Sequence, residues 1–106
     1  MKATTDAVIG TEAVASLQHY HFSKGFFGTN GITVEEGFTT PDIEEAMNKR
    51  VAMEHCRKCY VLADASKFEA LSNVSFGPLS KGVIITAAQE GLNVRSYKQH
   101  TEVIVL

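Results

Sequence analysis

The segment Cys59-Tyr60-Val61-Leu62-Ala63 is apolar at every position and stops at Asp64. An unbroken run of β-forming apolar residues, in place of strict alternation, suits a strand covered on both faces. Such strands belong to parallel sheets with helices on either side. Gly82-Val83-Ile84-Ile85-Thr86 and Thr101-Glu102-Val103-Ile104-Val105 repeat the character downstream. Lys24-Gly25-Phe26-Phe27-Gly28 reads as another central strand, and Val8-Ile9-Gly10 as the end of one. The expected class is α/β, a partial parallel sheet flanked by helices.

Two helices are expected between these runs. Thr11 to Tyr20 places Val14 and Leu17, with Ala13 and Tyr20 beside them, on one helical face, opened by Gly10 or Thr11. The second begins after a loop from Thr29 to Thr39. Thr40 suits an N-cap, Pro41 the first helical position, and Asp42, Glu44 and Glu45 complement the positive helix end. It runs to about Cys56, with Ile43, Ala46, Met47, Val51 and Met53 available to pack on a sheet and Lys49, Arg50, Arg57 and Lys58 toward its C-terminal half.

With 106 residues, 44% hydrophobic and 21% charged, the chain has the size of one domain with one core. Its net charge of -2 comes from dispersed side chains, so no basic stripe is expected to hold nucleic acid directly. No apolar run reaches the roughly 20 residues of a spanning helix, and the N-terminal residues lack a secretory pattern. A cytoplasmic protein without membrane contact is expected. Cys56 and Cys59 form a lone Cys-x-x-Cys with no second ligand pair among His19, His21, His55 and His100, so no metal site is expected. The pair falls where a helix gives way to a strand, not at a helix N-terminus, and ordinary thiols are the simpler reading over metal or redox chemistry.

In open parallel sheets, ligands collect beyond the carboxyl ends of the strands. Three such places carry suitable residues. In Gly28-Thr29-Asn30-Gly31, glycines permit close backbone approach and Asn30 both donates and accepts hydrogen bonds, although an Asn-Gly turn explains the same residues. Gly37-Phe38-Thr39-Thr40-Pro41 sets two hydroxyls at an expected helix start, where an anion is favoured, but capping alone accounts for them. Asp64-Ala65-Ser66-Lys67 groups a carboxylate, a hydroxyl and an ammonium after the best strand, either to grip a small anionic polyol or to form a solvated turn. No nucleophile and base fall into a catalytic order, and Glu35-Glu36 reads as a solvated turn.

Taken together, Phe26-Phe27-Gly28-Thr29-Asn30-Gly31-Ile32, Gly37-Phe38-Thr39-Thr40-Pro41 followed by Glu44-Glu45-Ala46, and Tyr60-Val61-Leu62-Ala63-Asp64-Ala65-Ser66-Lys67-Phe68 closely resemble the effector domain of DeoR-type transcriptional repressors. The first two blocks are similar to repressors of the fructose, lactose and galactitol type. The resemblance implies a fold related to ribose-5-phosphate isomerase, glucosamine-6-phosphate deaminase and CoA transferases, and a bacterial sensor that binds a phosphorylated sugar. It implies that residues 1–106 form the C-terminal portion of the sensor. The helix-turn-helix DNA-binding domain and an earlier phosphate-binding loop are expected to lie outside this chain. Operator DNA would then be a partner only through that missing domain, and the protein a homo-oligomer.

The ligand-binding residues so implied are Asn30, Gly31, Thr39, Thr40, Asp64, Ser66 and Lys67, with no catalytic residue, metal or cofactor. Lys67 resembles the substrate-binding lysine of the related isomerases. Those enzymes carry acidic residues where this chain has Thr29 to Thr33, and Asn30 cannot act as a carboxylate base. Sensing without turnover is the expectation. An isomerase or deaminase-like enzyme and a pure oligomerisation module are the alternatives.

Overall fold

The computed structural model describes residues 6–8 and 22–106. In chain order its elements are β1 (Asp6–Val8), β2 (Phe22–Gly28), β3 (Gly31–Thr33), β4 (Gly37–Thr40), α1 (Ile43–Glu54), β5 (Cys56–Leu62), β6 (Val74–Gly77), β7 (Val83–Thr86), α2 (Arg95–Lys98) and β8 (Val103–Val105). Short 3₁₀ turns cover Ala65–Lys67 and Leu79–Lys81. The helix expected over Thr11 to Tyr20 lies outside the described residues.

The expected parallel sheet is present. Its order is β1-β2-β5-β7-β8, and each neighbouring pair is parallel. Chain entry into β5 comes earlier than the apolar run suggested, at Cys56, because Arg57 and Lys58 extend the ladder with exposed side chains. Val61 is fully buried but Leu62 is 47% exposed, so among the described residues the two faces of β5 are unequally covered.

The segment expected to be a loop, Thr29 to Thr39, is instead largely a hairpin. Strands β3 and β4 pair antiparallel, and β4 pairs with β6 to complete a second, three-stranded sheet. Ile32 and Phe38 each point into the core with no exposure, which explains why this polar-looking stretch is ordered. Glu35 and Glu36 occupy the exposed turn, as expected, and Thr33 Oγ1 accepts from Glu36 N.

One core joins the two sheets and α1. Phe27, Val61 and Ile84 come from the parallel sheet, Ile32, Phe38 and Phe76 from the antiparallel one, and Ala46, Ala52 and Met53 from α1. Tyr97 of α2 closes the cluster against Phe68, edge to face at 5.0 Å.

Several expectations for α1 need correction. Its N-cap is Asp42, whose carboxylate accepts from Glu45 N at 3.3 Å, while Thr40 is the last residue of β4. The strand holds Thr40 in place because its backbone belongs to the β4–β6 ladder. At the other end the helix stops at Glu54, capped by His55, because the chain passes at once into β5. The buried face is Ala46, Lys49, Ala52 and Met53, whereas Ile43 and Met47 are each 59% exposed. No basic residue lies in the last turn, so the expected dipole role of Lys49 and Arg50 is replaced by specific contacts. Arg50 donates to Ser75 O at 2.7 Å on β6.

Candidate functional site

At the carboxyl end of β2 the chain turns sharply into the hairpin, and the turn is built from side chain to backbone bonds. Thr29 Oγ1 lies 2.9 Å from Gly31 O and 3.1 Å from Thr39 O, and Asn30 N donates to Thr39 O. Gly31 is fixed by crowding: a Cβ there would stand 2.2 Å from Ala70 O and 2.8 Å from Thr39 Oγ1. The absent side chain at Gly31 therefore admits the protein's own backbone. Gly28, by contrast, faces open space.

Thr39 and Thr40 are also internal. Both are fully buried, and Thr39 Oγ1 accepts from Ser72 N at 3.0 Å. Thr40 Oγ1 lies 3.0 Å from Glu45 Oε1 and 3.2 Å from Asn30 Oδ1. Neither hydroxyl stands at the start of α1, where the N-cap is Asp42; both belong to β4. The two threonines stitch the hairpin to its neighbours because a buried hydroxyl must find a partner.

Behind this turn lies a charged group that sequence reasoning did not place. Lys49 is 6% exposed, and its Nζ donates to Gly28 O at 2.8 Å and pairs with Glu45 at 3.1 Å. The ammonium also sits 5.0 Å from the Phe76 ring centroid. Glu45 is held below its usual carboxylate range, first by the hydrogen bond from Lys49, with Thr40 adding to it. Gly28, Lys49, Glu45, Thr40 and Asn30 thus form a continuous polar chain ending at the exposed amide of Asn30. The four-residue spacing of Glu45 and Lys49 on a helix was the available signal.

The end of β5 adjoins that of β2, since Leu62 pairs with Gly28. Beyond it, Asp64 caps the Ala65–Lys67 turn: Oδ1 accepts from Ser66 N at 3.0 Å and from Ser66 Oγ in a short contact. Ser66, then Lys67, lower the Asp64 pKa. This is the turn-capping arrangement, yet it leaves Asp64 Oδ2 without a hydrogen bond among the described residues and the carboxylate exposed. Lys67 is half-buried and makes no ion pair or side-chain hydrogen bond among the described residues.

Two clefts meet at Asp64. One, of about 390 Å³, runs between the ends of β5 and β7 and is lined by Leu62, Asp64, Lys67, Ile85, Thr86 and Leu106 among others. Thr86 is 3% exposed, and its hydroxyl has no hydrogen-bond partner among the described residues. The other cleft, of about 670 Å³, is bordered by Asp64, Ser66, Glu69 and Gln89 to Asn93. A third concavity of about 410 Å³, between the hairpin turn, α1 and β6, contains none of the sequence-predicted site residues.

A second group missed from sequence holds the two strand ends together. Ile32 bridges to Phe68, and Glu69 N donates to Ile32 O at 2.7 Å and to Tyr97 Oη at 3.1 Å. Tyr97 Oη in turn lies 3.1 Å from Ile32 O and in a short contact with Glu69 Oε2. Glu69 adopts φ 67, a left-handed conformation unusual for a residue with a side chain. Burial, then the Glu69 carboxylate, pushes the Tyr97 phenol up from its ordinary value of 10.0. Neither residue belongs to a recognisable motif, and their sequence separation hid the contact.

The structure therefore sets Asn30, Asp64, Ser66 and Lys67 just beyond the ends of the neighbouring strands β2 and β5, while Thr39 and Thr40 are fully buried and Gly31 packs against Ala70. Among the described residues, no group of three or more His, Cys, Asp or Glu could hold a metal ion, and no helix is long and apolar enough to cross a membrane.

Comparison with known proteins gives this arrangement a relationship. Residues 1–88 match the model of the DeoR C-terminal sensor domain. The chain is 41% identical over its whole length to an uncharacterized HTH-type transcriptional regulator FruR of Bacillus subtilis, covering 42% of that protein. It is 31% identical over 98% of its length to a lactose phosphotransferase system repressor of Streptococcus mutans, covering 41%. Against the HTH-type transcriptional regulator GlpR of Haloferax volcanii it is 35% identical over 76% of its length, covering 32%. The chain spans less than half the length of these relatives. Match and relatives agree: this chain belongs to the DeoR C-terminal sensor domain family.

Proposed function

We propose that this chain is the effector-holding part of a bacterial transcriptional repressor of sugar utilisation, acting in the cytoplasm, and that its ligand is a phosphorylated sugar. The observation that carries the proposal is Lys67: a half-buried lysine that makes no salt bridge among the described residues, just beyond the carboxyl end of a strand of the parallel sheet. A dianionic phosphate in the cleft between β5 and β7 would supply the missing partner through charge-assisted bonds. The exposed Asp64 carboxylate and Asn30 amide are available to hydroxyls, and the Thr86 hydroxyl, without a hydrogen-bond partner among the described residues, lines the same cleft as Asp64 and Lys67. The relatives named for a lactose phosphotransferase system and as FruR fit a sugar-derived effector.

Ligand binding controls operator affinity only where it favours one of two states of the whole repressor, so the test needs the full-length protein. Calorimetric titration with a panel of aldose and ketose phosphates, with the parent sugars as controls, should find a phosphorylated binder that changes operator affinity. Lys67→Ala should weaken it about 10- to 100-fold, the equivalent of a lost charged hydrogen bond of about 1.5–3 kcal/mol. Absence of any binder, or an unchanged affinity in Lys67→Ala, refutes the assignment. Turnover of a sugar phosphate would replace it with the isomerase or deaminase reading, against which the amide at Asn30 stands.

A further inference from the structure

Cys56 and Cys59 are the two cysteines of the chain, and both are free thiols. Residues three apart in a regular strand project to opposite faces, about 10 Å apart along the chain. The abrupt passage from α1 into β5 changes this. Cys56 directly follows the C-cap His55, and its sulfur folds over Gly25 of β2: a Cβ on Gly25 would lie 2.5 Å from Cys56 Sγ. Gly25 is the ladder partner of Cys59, whose buried side chain belongs to the core cluster. Directly paired residues of a parallel ladder project to the same face, so the Cys56 sulfur occupies the space beside Cys59 that any residue but glycine at position 25 would fill.

We propose that Cys56 and Cys59 are a redox-active pair that closes reversibly into an intramolecular disulfide by exchange with small-molecule disulfides. Cys56, half-buried, is the attacking sulfur, and Cys59, buried with its thiol 3.5 Å from Met53 O, is the resolving one. The Cys56 thiol loses its proton to solvent and its thiolate attacks one sulfur of the oxidant, expelling a thiolate that takes up a proton. Cys59 then loses its proton and attacks the Cys56 sulfur of the mixed disulfide, expelling the second thiol. The balance is two protein thiols and one small disulfide giving one protein disulfide and two small thiols. The order is supported by the effect of the two groups on each other: Cys59 lowers the Cys56 pKa, and Cys56, as the larger cause ahead of burial, raises that of Cys59. The disulfide closes the start of β5 on itself just after the exit of α1, in the strand beyond whose other end Asp64 lies.

Incubation of the folded chain with oxidised glutathione, alkylation with iodoacetamide and intact mass measurement test the proposal. The expected product has lost two hydrogens, takes no alkyl group and is restored by dithiothreitol. Cys59→Ala should accumulate a glutathione adduct on Cys56, and Cys56→Ala should stay unmodified in native buffer. Closure should also be faster in native buffer than in urea, a comparison that needs no variant to fold. Two persistent free thiols, a stable wild-type glutathione adduct, a cross-linked dimer, or closure at least as fast in urea would each overturn the proposal.

Discussion

Replacing Lys49 by Met tests whether the polar chain behind β2 supports the site. Met keeps most of the apolar stem but removes the ammonium, and three partners lose by it. Gly28 O loses a hydrogen bond of 2.8 Å, Glu45 loses its cation at 3.1 Å, and Phe76 loses the charge over its ring. A hydrogen bond from a charged donor contributes about 1.5–3 kcal/mol and a cation over an aromatic ring about 0.5–1 kcal/mol. A fully buried broken pair costs about 3–5 kcal/mol, but the Glu45 side chain is 31% exposed and keeps Thr40, so water recovers part of the loss. We expect a net loss of about 2–3 kcal/mol, a fall in melting temperature of roughly 10–15 °C for a domain of this size. Urea denaturation followed by circular dichroism measures it, with Glu45→Gln and the double variant completing a cycle. Lys49→Met within about 0.5 kcal/mol of wild type, the range of an ordinary surface substitution, would refute the reasoning.

Three further perturbations have defined outcomes. Gly31→Ala drives a methyl against Ala70 O and should destabilise by about 1–3 kcal/mol in a denaturant titration, as overpacking does. Asp42→Ala should cost about 1 kcal/mol by the same measurement through loss of the N-cap, and Asp42→Asn, which keeps an accepting oxygen, should cost little. Because the folded state raises the Tyr97 pKa above 10.0, the proton it retains favours folding fully below that pH and the advantage fades as pH rises beyond it. Melting curves from neutral to strongly alkaline pH should show a decline above about pH 10, the range in which free tyrosine titrates, that is shallower in Tyr97→Phe.

The apolar run at Cys59 to Ala63 revealed the parallel sheet because burial leaves a one-dimensional trace, and strands β2, β7 and β8 could be found the same way. The hairpin left almost none. Its strands have three and four residues, too few for alternation to register, and Thr39 and Thr40 read as capping residues because their hydrogen-bond partners, Ser72 and Glu45, are set by the folded structure. The same limit shaped the reading of the site. Asp64, Ser66 and Lys67 were legible because one turn contains them, while Lys49, Glu69 and Tyr97 act on segments 21, 37 and 65 residues away.

That division says something about how such a site is stabilised. The groups exposed at the strand ends, Asn30, Asp64 and Ser66, and the half-buried Lys67 gain little from folding. Each is held by a more deeply placed group that does gain. Asn30 rests on Thr40, Glu45 and Lys49, and the turn carrying Asp64 and Lys67 is anchored where Glu69 meets Ile32 and Tyr97. Glu69 tolerates its left-handed backbone because its N–H satisfies two acceptors at once, so the unfavourable conformation sits where the two strand ends are tied. Ile32 lies two residues after Asn30 and Glu69 two after Lys67, so the bond between them joins the supports of the two strand ends.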